Sequence, residues 1–159
     1  MDEGTVVKVR GKTDFPYKGL FTCYGCGTSI CAEEKYRKRL DGTVRHHIYY
    51  HCTKSRNISC KEPFITEKNL IKQIKYNILK LQETELETKL KKTTQNGLKQ
   101  FESIVKEINL YTNNDYDYDG NVTLKDLALY AAAKAPISTR RELLNELPLP
   151  KKLHNSILV

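Results

Sequence analysis

The hydrophobic pattern changes character about a third of the way along the chain. Up to residue 64 it is short and strand-like. Val44 to Cys52 (VRHHIYYHC) is rich in β-branched and aromatic residues and reads as a strand returning from an Asp41-Gly42 turn. Residues 28–32 are expected to form its partner, while the charged run EEKYRKRL between them fits a strand, a helical turn or a hairpin tip. Phe15, Tyr17, Leu20 and Phe21 around Gly19 predict another short strand with a bulge. Val6, Val7 and Val9 suggest an edge strand before it.

Beyond residue 64 the period becomes helical. Thr66 suits an N-cap, Glu67 suits the first turn, and Ile65 and Leu70 occupy the two positions of a hydrophobic staple. Ile71, Ile74, Ile78 and Leu81 step by three and four, as in a coiled-coil seam, and Leu86 and Leu90 continue on a shifted face. One helix over 66–92 is expected, either packing on a neighbour or forming a short coiled coil, with Gly97 as its cap. Phe101, Ile104, Val105 and Ile108 predict a second helix over 98–111. Helices at 124–135 and at RRELLNEL, the latter capped by Ser138 or Thr139, complete the pattern, and 148–159 reads as a loose tail. The expected class is α+β, with a small zinc β-ribbon at 1–65, a helical region at 66–147 and the tail.

Composition narrows the function classes. Of 159 residues, 29% are charged and 39% hydrophobic, and mean hydropathy is −0.58. No apolar run approaches the roughly 18–20 residues of a membrane helix, so no membrane partner is expected. MDEGTVVKVRGKTDF lacks the apolar segment of a secretion signal, which points to a reducing cytosol. There, clustered cysteines favour metal binding over disulfides. Net charge is +8, divided +5 over residues 1–63 and +3 over the rest. Four thiolates on one Zn²⁺ would remove two of the five, leaving moderate attraction for a polyanion.

The chemistry concentrates in residues 15–64, which hold all five cysteines and three of the four histidines. Cys23 and Cys26, followed by Gly27, form a C-x2-C-G knuckle, and the glycines suit the bend that turns both sulfurs toward one ion. Cys52 and Cys60 complete a C-x2-C-x25-C-x7-C framework. A region so poor in large aliphatics needs such a staple to fold. Cys23, Cys26, Cys52 and Cys60 are therefore the expected ligands of one structural Zn²⁺, and Cys31 is expected to face the ribbon's small core. His46 and His47 point to opposite strand faces, as do His51 and Cys52, so no histidine is expected to join. Lys35, Arg37, Lys38, Arg39, Arg45, Lys54 and Arg56 are candidate DNA contacts, or else an ordinary solvated charged face. Asp115, Asp117, Asp119 and Asp126, with Gly120, match positions of a calcium loop. An aspartate at the last position and the lack of a second loop weaken that match. Turn and capping chemistry from Asp119-Gly120 and Thr123 with Asp126 is the competing reading.

Taken together, Gly19-Leu20, Cys23, Cys26-Gly27, Tyr49-Tyr50, Cys52 and Cys60 resemble the recombinase zinc β-ribbon domain, over about residues 15–80. That domain lies in the C-terminal half of large serine site-specific recombinases of bacteria, phages and mobile elements. The resemblance implies a bacterial, DNA-associated protein. Its ribbon would grip double-stranded recombination-site DNA, and its helices would meet other recombinase subunits. Such enzymes carry their catalytic serine in an N-terminal domain with no counterpart here, so a non-catalytic portion of such an enzyme is expected. The alternative is a zinc-stapled interaction module whose helices assemble subunits.

Overall fold

The computed structural model describes residues 14–100 and 122–159. It is a mixed α+β structure. Among the described residues there are two three-stranded sheets and five helices. No helix is long and apolar enough to cross a membrane among the residues described. The chain divides into two compact units, one formed up to residue 70 together with 151–159, the other spanning 71–150.

The first unit is built on a hairpin. Strand β2 (Ile30–Lys38) pairs antiparallel with β3 (Val44–Cys52) over nine rungs, from Ile30 opposite Cys52 to Lys38 opposite Val44. The charged run that sequence left open is thus the outer half of a strand. Its turn has the expected chemistry: Gly42 adopts φ +81°, and the Asp41 carboxylate accepts from the Thr43 amide and hydroxyl at 2.9 and 2.6 Å. Strand β4 (Ile65–Thr66) adds to β3 and leads directly into α1 (Glu67–Lys80). The Asn69 amide donates to Thr66 Oγ1 at 3.3 Å, and the staple residues Ile65 and Leu70 are both buried.

Residues 15–20 form turns rather than the expected strand, with Gly19 at φ +76° and its amide donating to the Ile30 carbonyl. This turn drops Tyr17 edge-on against Tyr50, and both are completely buried. The Tyr50 hydroxyl donates to Glu67 Oε2 at 2.9 Å, satisfying a polar group that burial would otherwise strand. Burial and the Glu67 carboxylate both raise the Tyr50 pKa.

The C-terminal residues differ most from expectation. In place of a loose tail, β5 (Lys152–His154) and β6 (Ile157–Leu158) make a hairpin turned by Asn155 and Ser156 at φ +49° and +62°. Two successive left-handed residues are the signature of a type I′ turn, and Asn is its favoured non-glycine residue. Strand β5 pairs in parallel with β1 (Thr22–Cys23), and Leu153 and Leu158 supply the buried side chains.

The single helix expected over 66–92 is interrupted after Lys80 and again after Lys89, giving α1 and α2 (Glu83–Lys89), and α3 (Lys92–Lys99) forms over the stretch expected to end it. Gln82 and Glu85 form a capping box at the first break. The breaks let Ile74, Ile78, Leu86, Leu90 and Leu98 all be buried, which the shifted faces of one straight helix would not allow. No coiled-coil-length helix remains among the described residues. Gly97 lies inside α3 instead of capping a helix, and the Thr139 methyl lies 3.9 Å from where its Cβ would be.

Helix α4 (Leu124–Lys134) starts at the Thr123–Asp126 capping box, and Glu83 Oε1 accepts from the Leu124 amide at 2.6 Å. Its Ala128, Ala131 and Ala132 are fully buried. Helix α5 (Ile137–Glu146) has Pro136, whose φ is fixed, as its N-cap, two residues ahead of the expected Ser138. The helix expected at 98–111 and the edge strand at 6–9 fall largely or wholly outside the described residues, as do Asp115, Asp117 and Asp119. Of the calcium candidates only Asp126 is described, and its carboxylate accepts from the Thr123 amide and hydroxyl.

Candidate metal centre

Three separate chain segments bring four sulfurs together. Cys23 ends β1, and Cys26 follows on the tight turn closed by the Gly27 amide donating to the Cys23 carbonyl at 2.8 Å. Cys52 ends β3. Cys60 arrives at the end of the TKSRNIS loop, held by a bond from its own amide to the Asn57 carbonyl. The four Sγ atoms lie within 4.8 Å of one another, with Cys23–Cys60 at 3.6 Å and Cys26–Cys52 at 3.3 Å. Bonds of about 2.3 Å from a tetrahedral ion give sulfur–sulfur edges of about 3.8 Å, so the cluster is close to the size that a metal ion requires. All five cysteines are free, and Cys23, Cys52 and Cys60 are buried.

The surroundings supply what thiolates need. The buried Thr28 hydroxyl lies 3.1 Å from Cys26 Sγ and 3.0 Å from Cys52 Sγ. The Lys54 amide donates to Cys52 Sγ at 3.2 Å, a bond obtained by placing Lys54 in the left-handed region at φ +58°. The two knuckle glycines differ. Gly27 is needed for its φ of +70°, whereas a Cβ on Gly25 would make ordinary contacts, 3.4 Å from Glu62 Oε1 and 3.6 Å from Cys60 Sγ.

Two of the four thiols are pulled in opposite directions. Burial, against a bond from the Cys26 amide, pushes Cys23 up to about 12, with the neighbouring sulfurs adding to the rise. The Thr28 hydroxyl and amide pull Cys26 down to about 6. A bound cation removes this conflict by favouring all four thiolates at once.

Cys31 lies on the opposite face of β2 from the cluster, half-buried, with its sulfur 3.4–3.5 Å from both ring nitrogens of His51. It does not enter the core as expected, because the period of two sends Ile30 inward instead. His46 stacks on Tyr36 at 4.6 Å, and His47 lies beside Tyr49. No histidine belongs to the group of metal-ligating residues found among those described.

Two features of the site escaped the sequence. Thr28 lies just ahead of β2, not within the strand expected to start at residue 28, and nothing local marks it until it is found between two sulfurs. The C-terminal hairpin holds the chain on both sides of Cys23: the Thr22 amide donates to the Lys151 carbonyl and the Tyr24 amide to the Leu153 carbonyl. Beyond Cys60, Glu62 accepts from the Asn155 amide and meets His154 Nδ1, both at 2.7 Å. Burial raises the Glu62 pKa, but these two partners outweigh it and the net direction is down. The Asn155-Ser156 pair was the only local signal of this hairpin.

The basic candidates divide by position. Lys35, Arg37 and Arg45 share one face of the hairpin, Lys38 faces the other way, and Arg39 begins the turn. Lys54 and Arg56 lie in the loop before Cys60, where Arg56 Nη1 is 3.4 Å from the position of a Cβ on Gly27. Lys35 pairs with Glu33 at 2.8 Å, while the other six form no ion pair among the described residues. No family model, curated protein or solved structure matches the chain.

Proposed function

We propose that this chain is a non-catalytic, zinc-stapled DNA-binding module. The ion is assigned as zinc because four thiolates at tetrahedral spacing suit a soft, geometrically undemanding cation. Four protein ligands leave no open position for a substrate or an activated water, which makes the site structural. The resemblance of the cysteine and tyrosine framework to the recombinase zinc β-ribbon places the module, on this reading, in site-specific DNA recombination.

One observation carries the DNA reading. Between Lys35 and Arg45 the hairpin holds five basic residues and one acidic residue, all exposed. The metal centre and the Tyr17–Tyr50 core fix the base of the same hairpin. A stiff, basic two-stranded ribbon suits the DNA major groove and the phosphates along its edges.

A fluorescence-anisotropy or gel-shift titration of duplex DNA at several salt concentrations tests this. Affinity that falls with salt and weakens when Arg37 and Arg45 are changed to Gln is expected. Absent or salt-insensitive binding overturns the DNA reading in favour of a module that assembles subunits. Metal analysis of the purified protein is expected to give about one zinc per chain, and substantially less removes the assignment.

A further inference from the structure

The two faces of the β2–β3 hairpin have opposite chemistry. On one, Ile30, Tyr50 and Cys52 are committed to the core and the metal cluster. Further out on that face Glu34 is engaged by the Tyr36 hydroxyl at 2.9 Å and lies 3.7 Å from His46. The other face is closed only in part: Glu33, opposite Tyr49, pairs with Lys35 at 2.8 Å. Arg37 stands directly opposite Arg45, and Lys35 opposite His47. Like charges directly across an antiparallel pair repel, and no carboxylate among the described residues joins this arginine pair.

Toward the hairpin base the same face turns aromatic. Tyr49 follows on the next rung and His51 on the one after. Phe64, just ahead of β4, stacks on His51 at 4.2 Å and 10°, and remains 44% exposed. Lys35 Nζ lies 5.4 Å from the Tyr49 ring centre and 5.3 Å from that of Phe64, bridging the cationic and aromatic halves.

We propose that this face binds an unpaired stretch of nucleic acid, with phosphates against Arg37 and Arg45 and bases stacked on Phe64 and Tyr49. The inference rests on the DNA-binding reading above and adds the face used and the strandedness of the ligand. Duplex DNA buries its base faces in its own stack and offers side chains only base edges. Rings beside a row of cations, Phe64 exposed and Tyr49 half-buried, gain from a strand whose bases are open. An acidic peptide would satisfy the arginine pair but gives no reason for the rings.

The test uses the zinc-loaded full chain and three labelled probes: an oligothymidylate, an abasic strand of the same length, and a duplex. The oligothymidylate is expected to bind about five- to a hundredfold more tightly than the abasic strand, because each stacked base adds affinity. Phe64→Leu and Tyr49→Leu are expected to erase that difference while leaving duplex binding unchanged.

Equal affinity for the base-bearing and abasic strands overturns the proposal, and so does an unaltered preference in both leucine variants. Duplex binding alone defeats only the strandedness. Failure of all three probes defeats the DNA-binding reading as well. The chain has no tryptophan, so Phe64→Trp provides a single reporter at the site. Quenching by oligothymidylate is expected, and emission unmoved at saturating strand overturns the stacking role.

Discussion

Thr28 shows how one side chain gains its role from its neighbours. Its hydroxyl lies between two sulfurs and can stabilise only a limited share of the thiolate charge, yet it stands where no water reaches. Thr28→Val is expected to lower metal affinity about 10- to 100-fold, as loss of an outer partner does elsewhere, and Thr28→Ser to retain it. Competition with a chromophoric chelator measures both. Asp41 provides a pH-dependent counterpart at the hairpin tip. The Thr43 hydroxyl and amide lower its pKa below the ordinary 3.8. The carboxylate therefore stabilises the turn fully above that ordinary value, and the stabilisation is lost as pH falls through the depressed folded value. A downfield Thr43 amide resonance that titrates with Asp41 over that acidic window is expected, and Asp41→Ala should abolish the titration. The ligand cysteines were legible at this scale because metal geometry restricts which spacings can converge. Thr28 was not, since a threonine just ahead of a strand carries no mark of what it will face.

Among the elements, the C-terminal hairpin contributes most that the primary pattern concealed. It covers the outer edge of β1 and is tied to the chain beyond Cys60 through Glu62. Leu153 is buried at its centre, so Leu153→Ala is expected to cost about 2–5 kcal/mol in the ribbon unit, readable by chemical denaturation. The same change is expected to speed metal loss to a chelator, because the strand that holds the first knuckle is loosened. In contrast, β3, the Asp41-Gly42 turn and the start of α1 could be read locally. Each has its determinant within a few residues: β-branched and aromatic content, a left-handed glycine, and a threonine cap with its staple. The breaks in the expected long helix could not be read that way. Among the described residues α4 and α5 pack against α2 and α3, where Leu86 and Leu98 are buried, and propensity alone gives no reason to interrupt a run of good helix formers.

For the whole molecule, the two compact units have different sources of stability. The ribbon unit depends on four sulfurs and a small aromatic core. The second unit is held by leucine and alanine packing among α2 to α5, with Glu146 accepting from the Lys91 amide and the Thr94 hydroxyl at 2.9 and 3.1 Å. Metal removal is expected to abolish the ribbon's tertiary signals while much of the helical circular dichroism persists, giving separated thermal transitions. A single cooperative loss of both signals on chelation would contradict this. Tyr50→Phe acts within the first unit only. It leaves the Glu67 carboxylate without its donor at an expected cost of about 0.5–1.5 kcal/mol, again measured by denaturation.

The amino-acid sequence by itself pointed to the four clustered cysteines, the returning strand, the basic hairpin and the α+β class. Those features rest on short-range rules: metal-ligand spacing, the two- and 3.6-residue periods, and turn and cap chemistry. Tertiary structure decided what sits beside the cysteine cluster, where the long helical run breaks, and that the last nine residues close the knuckle as a hairpin. It also decided which basic residues share a face with Phe64 and Tyr49. The physical reason is the same throughout: a parallel strand pair joining residue 23 to residue 153, or a hydroxyl lodged between sulfurs 26 and 52, depends on groups far apart in the chain. Their pairing energy exists only after the core has brought them together.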